Sequence, residues 1–246
     1  MTADGLDRSD REDDRSGDAR DLVPQRVLPL VVRVERQHPP SRTDALEAAA
    51  TAVLALLADP RSAERPDLEE SGEWAGAVRD WTDSRIRKVV RRARGAEWRR
   101  AEALDGITIT RRSAEVRVFP PVPLDGWPRD LARLQVAGTD LDDPERPADP
   151  PPGTPVLWLN HSLRLTAGKA MAQVGHAAQL GWNALAPQER RAWQHAGFEL
   201  AVRTAPADRW EQLLAAGLPL VRDAGFTEVE PGSCTAIADL PYLRGR

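Results

Sequence analysis

The chain has 246 residues, enough for one large domain or two small ones. Its 41% hydrophobic and 29% charged content is that of a soluble protein, and no run of 18 apolar residues offers a membrane-spanning helix. A single cysteine, Cys234, excludes an intrachain disulfide and a thiolate zinc cluster, and His38, His161, His176 and His195 make no metal-binding spacing. A polar, acidic N-terminus does not read as a secretory signal. The expectation is a cytoplasmic protein with no metal and no cofactor.

Residues 1–25 hold eight acids and four arginines, so they account for the whole net charge of −4. With almost no large apolar residue before Leu22, they read as a disordered acidic tail. The first folded region is expected over 26–137. Leu28–Glu35 reads as a strand and Asp44–Ala58 as a helix opened by a capping box of Asp44 and Glu47. A short helix near Glu73–Trp81 follows, then a strand Ile86–Arg92, a helix Ala96–Leu104, and strands near Ile107–Arg111 and Glu115–Phe119. Residues 138–155 contain six prolines among acids and no apolar periodicity, which predicts a linker. From 156 to 246 the pattern returns: strand 156–160, helix 167–185, short helix 187–195, strand Phe198–Thr204, helix Pro206–Ala216, and strands Leu218–Arg222 and Thr235–Leu240.

Trp81 and Trp98 lie 17 residues apart, as do Trp193 and Trp210, and each pair encloses a strand and a helix start. The reading is a tandem duplication: two three-layer α/β lobes, each a mixed four-stranded sheet with helices on its faces. The four tryptophans then serve as core anchors.

The second region carries the chemistry. Lys169 is one of two lysines against 32 arginines, at the start of an Ala-rich helix where backbone N–H groups attract anions. A lysine there supplies a compact ammonium in place of a flat fork. Gln173 and His176 follow on the same helix face. Asp223 falls at a strand end, before the turn residues Gly225 and Pro231-Gly232.

The stretches Gly168-Lys-Ala-Met-Ala-Gln-Val-Gly-His-Ala177 and Asp223-Ala-Gly-Phe-Thr227, with Pro231-Gly232 and Thr235, resemble type II peptidyl-tRNA hydrolases in order and spacing. The resemblance covers about residues 155–241 and leaves 26–137 as a degenerate repeat of the same fold. It implies hydrolysis of the ester between a nascent peptide and tRNA, with Lys169, Asp223, Thr227 and Thr235 as catalytic residues and Gly168 at the tRNA site. His176 is a candidate base because an ordinary imidazole titrates near neutrality. Two departures remove positive charge: Leu165-Thr-Ala precedes the lysine motif where basic residues are usual, and Phe226 stands where arginine is usual. Arg85, Arg87, Lys88, Arg91 and Arg92 of the first region are expected to compensate by holding phosphates. The family's homodimer implies, for a tandem chain, a monomeric pseudo-dimer. The competing reading from another class is a non-catalytic tRNA-binding protein on the same scaffold; a hydrolase of other acyl esters is the third.

Overall fold

The computed structural model describes residues 20, 22–64, 71–223 and 232–244. The acidic tail up to residue 19, and Gly225, Phe226, Thr227 and Pro231, lie outside the described residues. In chain order the elements are β1 (Arg26–Arg33), α1 (Arg42–Ala58), α2 (Ala75–Asp83), β2 (Arg87–Ala93), α3 (Gly95–Glu102), β3 (Ile107–Arg111), β4 (Ala114–Val118), β5 (Val122–Pro123) and α4 (Arg129–Ala132). Then come β6 (Val156–Asn160), α5 (Ala167–Ala184), α6 (Pro187–His195), β7 (Ala201–Ala205), α7 (Ala207–Ala215), β8 (Leu220–Arg222) and β9 (Cys234–Asp239).

Two mixed sheets result, with the strand orders β2-β1-β4-β3 and β7-β6-β9-β8. In each, the first two strands run parallel and the other pairings are antiparallel. The first sheet also carries the two-residue strand β5 on β1, which alternation could not reveal at that length. The tryptophans repeat their roles. The Trp81 indole donates to the Arg87 carbonyl at 2.8 Å and Trp193 to the Glu199 carbonyl at 2.9 Å. Ile86 and Phe198, the residues just before those carbonyls, both sit in the left-handed region, at φ 50° and 54°. Trp98 and Trp210 anchor the small outer cores beneath α3 and α7.

The inner faces of the two sheets meet in one continuous apolar core, in which α1 lies against α5. Helix α1 is buried nearly all round, as its run of alanines and leucines dictates. Close approach is built into α5: a Cβ on Gly175 would stand 3.0 Å from a Val53 methyl. The capping box expected at Asp44 is replaced by Ser41, whose hydroxyl accepts from the Asp44 N–H. Glu47 instead reaches across to the second lobe, accepting from the Val202 N–H at 3.2 Å and pairing with Arg203 at 3.0 Å.

The segment expected to be a linker is also part of the fold. Thr139 offers its carbonyl to the Ala167 N–H and its hydroxyl to the Gly168 N–H, capping α5. Asp142 and Asp143 do the same for α1, through the Arg42 and Thr43 N–H groups. Leu141, between them, is buried in the shared core. One short stretch therefore satisfies the orphan donors of both long helices. Composition alone hid this, because the acceptors matter only when two distant helix starts come together.

Candidate active site

A cleft of about 740 Å³ opens at the start of α5, between the lobes. Its second-lobe wall presents Lys169, Gln173 and His176 from α5 and Asp223 beyond β8; its first-lobe wall is β2, and residues 136–140 form its third side. Both lysines of the chain line this one cleft.

Thr166 caps α5 and places Lys169 in the first turn. One turn on, Gln173 joins two groups that the sequence keeps far apart. Its amide N–H donates to Asp223 Oδ2 at 3.2 Å, and its carbonyl oxygen accepts from the Thr235 hydroxyl at 2.6 Å. Asp223 is 6% exposed and Thr235 fully buried, so this network is sheltered from water and each bond counts for more. Asp223 is tied to the residues before β9 by its N–H to the Ser233 carbonyl and by the Gly232 N–H to its own carbonyl. Sequence reasoning placed Gln173 on the right face but gave it no role. Its signal, the spacing of four from Lys169, was legible; its partners, 50 and 62 residues downstream, were not.

His176 lies deeper on the same face. Burial, helped by the positive charge of Lys88, lowers its pKa to about 3, so the imidazole is neutral at physiological pH. Such a group is too weakly basic to draw a proton from water near neutrality. Gly168 lines the cleft, yet its own N–H is already taken by Thr139. A Cβ there would stand 2.7 Å from the Thr139 hydroxyl, so the glycine is required by the cap.

The basic residues of the first lobe divide into two sets. Arg85, Arg87 and Lys88 line the cleft. Arg91 and Arg92 do not; they hold residues 132–137 in place. Arg91 donates to the Ala132 and Leu134 carbonyls and stacks 4.4 Å over Trp127, while Arg92 donates to the Ala137 carbonyl and to Gln135. The Lys88 amine donates to Gln179 Oε1 at 2.7 Å and lies 4.7 Å over the Trp81 ring, and burial pushes its pKa well below that of an ordinary lysine.

The first lobe has the same framework with its charges exchanged. Asp44 follows its N-cap by three residues, as Lys169 does, and Arg112 at the end of β3 pairs with it at 3.0 Å. The second lobe has lysine on the helix and aspartate at the strand end; the first has the reverse. Burial opposes the charge of Asp44, but the Ser113 hydroxyl and N–H, Arg112 and Ser41 outweigh it and hold its carboxyl below the usual range. Six residues past the N-cap stands Glu47, filling the gap to β7, where the second lobe has Ala172 and an open cleft. The hairpin from β3 to β4 turns at Arg112-Ser113, leaving no counterpart of residues 223–233.

This geometry defines a class: an α/β protein with a glutamine–aspartate–threonine network in a cleft that also presents a lysine from the head of a helix. The family model described as peptidyl-tRNA hydrolase PTH2 matches residues 154–244. A peptidyl-tRNA hydrolase of Thermococcus onnurineus is 36% identical over 93 residues, which are 34% of this chain and 79% of that protein. One from Haloquadratum walsbyi is 35% identical over 83 residues, 31% of this chain and 74% of its own. The mitochondrial peptidyl-tRNA hydrolase 2 of Mus musculus is 33% identical over 92 residues, 33% of this chain and 51% of its own. The chain belongs to the peptidyl-tRNA hydrolase family through its second lobe.

Proposed function

We propose that this chain hydrolyses the ester joining a peptide to the 3′ end of tRNA, releasing peptide and free tRNA. The observation that carries the reading is the Gln173 bridge, which holds Asp223 and Thr235 together on the wall that also bears Lys169. Attack of water on the ester carbonyl builds negative charge on its oxygen. The Lys169 ammonium at a helix start is placed to stabilise that charge, and a preorganised donor of this kind contributes on the order of 10²–10³ in rate. Asp223 orients the attacking water, with Gln173 fixing the carboxylate and Thr235 fixing Gln173. Thr227 is assigned to the same reaction through the family motif alone. Arg85, Arg87 and Lys88 form the opposite wall and take the tRNA end, while Gly168 serves by admitting the Thr139 cap.

The first lobe is a degenerate copy, a reading supported by its strand order and tryptophan bonds. The chain acts as a monomer in which α1 against α5 replaces a subunit interface. Its substrate is made by translation, and we assign it to the cytoplasm; among the described residues no helix is long and apolar enough to cross a membrane.

The test is release of peptide from N-acyl-aminoacyl-tRNA. Wild type turns over; Lys169→Arg and Asp223→Ala each lose at least about 100-fold in kcat. Equal, slow release by all three proteins sinks the enzyme. The loss of basic residues at Leu165 and Phe226 favours a second reading, a tRNA binder without catalysis. That reading requires tight binding with no release by wild type.

A further inference from the structure

A second groove, of about 360 Å³, lies across the connecting segment from the catalytic cleft. It begins at the start of α1, as the catalytic cleft begins at the start of α5. Residues 143–149, the ends of β6 and β7, and the first turn of α7 complete it. Four arginines line it: Arg42, Arg146, Arg203 and Arg209. Arg203 and Arg209 are built into the wall by Glu47 and Asp239, each at 3.0 Å. Arg42 and Arg146 are different. Neither guanidinium makes a hydrogen bond among the described residues. Arg42 is half-buried, which disfavours its charge, and only the nearby Asp143 and Asp142 oppose that. Of the two acids in the groove, Asp143 is already engaged by the Thr43 N–H and hydroxyl, each at 2.7 Å. Asp149 is exposed at the rim.

We propose that this groove binds the phosphodiester backbone of the tRNA whose 3′ end occupies the catalytic cleft. The inference rests on tRNA being the substrate. Its chemistry is that of two planar donor forks with unfilled hydrogen-bonding capacity above a helix start, which suits a phosphate's oxygens. Its geometry follows from the connecting segment. Thr139 caps α5 and Asp143 caps α1, so four residues separate the two helix starts, a span of at most about 14 Å. The two sites are therefore a few nucleotides apart along a strand. Trp158, with Arg209 at 5.7 Å over its ring, closes the floor of the groove. The non-catalytic lobe thus contributes its helix start to holding the strand just behind the end that the catalytic lobe handles.

The experiment is equilibrium binding of deacylated tRNA to the full chain across a salt series. Arg42→Ala with Arg146→Ala is expected to weaken binding about tenfold near 0.1 M salt and to make the log–log salt slope shallower by roughly 1.5. The exposed Arg146→Glu alone, which removes no packing, weakens it several-fold. Arg191→Ala, on the exposed face of α6, serves as the control for loss of a surface charge. A 3′-terminal mononucleotide, too short to reach the groove from the cleft, loses far less affinity than whole tRNA. Wild-type affinity and slope in the double variant overturn the proposal, as does an equal loss for mononucleotide and tRNA. Binding that depends on Arg42 and Arg146 without any ester cleavage would uphold the groove and sink the hydrolase.

Discussion

Gln173 gives the residue scale its clearest case. It is part-buried, its two polar ends are both spent, and the groups it joins arrive from the end of β8 and the start of β9. Gln173→Leu keeps the size and removes both bonds. The expected result is a fall in kcat of about 100-fold with little change in KM, because orientation of the attacking water suffers while the tRNA grip does not. A loss confined to KM would assign Gln173 to substrate binding instead. His176 yields a different prediction, in stability. An unfolded histidine protonates near pH 6.5, whereas burial and Lys88 hold this one at about 3. Between those values the unfolded chain binds the extra proton, so stability falls as pH drops from 6.5 toward 3, by up to about 1.4 kcal/mol per unit. Urea unfolding at pH 7 and pH 5 measures this. His176→Gln should flatten the difference, since Asp44 and Asp239, held low by their hydrogen-bonded partners, remain ionised over that range. An unchanged slope in the variant would remove His176 as its source. Lys169, Asp223 and Thr235 were legible because motif spacing marks them. The neutrality of His176 was not, since Lys88 approaches from 88 residues upstream.

At the scale of elements, most strands and helices follow from periodicity, with ends displaced by at most three residues. The capping role of 138–155 was not legible for a physical reason: prolines abolish periodicity, but an acceptor at each of two helix starts needs no periodicity. Gly168 and Thr139 put that contact to the test. Gly168→Ala drives a methyl to 2.7 Å from the Thr139 hydroxyl and should cost about 1–3 kcal/mol of stability. Thr139→Ala in the same chain relieves the clash, so the double variant should be more stable than Gly168→Ala alone. Additive losses would mean that the two residues do not meet. Strand β2 and helix α5 supply a second coupled pair. Lys88 and Gln179 are joined at 2.7 Å, and the Gln179 Nε2 has no partner among the described residues. At the same place in the second lobe, counted from the Trp193 bond, stands the buried Leu200. The fold therefore does not demand a lysine there. Lys88→Leu alone strands Gln179 and should destabilise by about 1–3 kcal/mol. Adding Gln179→Leu removes the orphan and should recover that loss or exceed it, as replacing a buried polar pair by apolar groups often does. Thermal unfolding of the two singles and the double completes the cycle.

At the scale of the whole molecule, the question is why one lobe does not suffice. Helix α5 contributes Ala170, Val174, Ala177 and Ala178 to a core whose other half is α1, and all four are fully buried. A fragment of residues 154–244, the part matched by the family model, would uncover that face. Burying apolar surface is worth roughly 25 cal/mol per Å², so an exposed face of this kind drives self-association. The same cut removes the Thr139 cap from α5 and the Arg85, Arg87 and Lys88 wall from the cleft. The full chain is expected to scatter light as a monomer near 27 kDa, the mass of one chain. The fragment should dimerise or aggregate, and a fragment dimer should carry Leu200 where the full chain's cleft has Lys88. Because β7 would stand in that dimer where β2 stands in the full chain, both of its clefts would lack Arg85 and Arg87, and KM for tRNA should rise at least tenfold while kcat is less affected. A full chain that is itself a stable dimer would overturn the internal pairing. A monomeric, fully active fragment would show that the first lobe is dispensable to the cleft, and the charge exchange between Asp44–Arg112 and Lys169–Asp223 would then mark decay alone. The prediction of a costly cut follows from the opposite view, in which the first lobe gave up its own site and became a wall of its neighbour's.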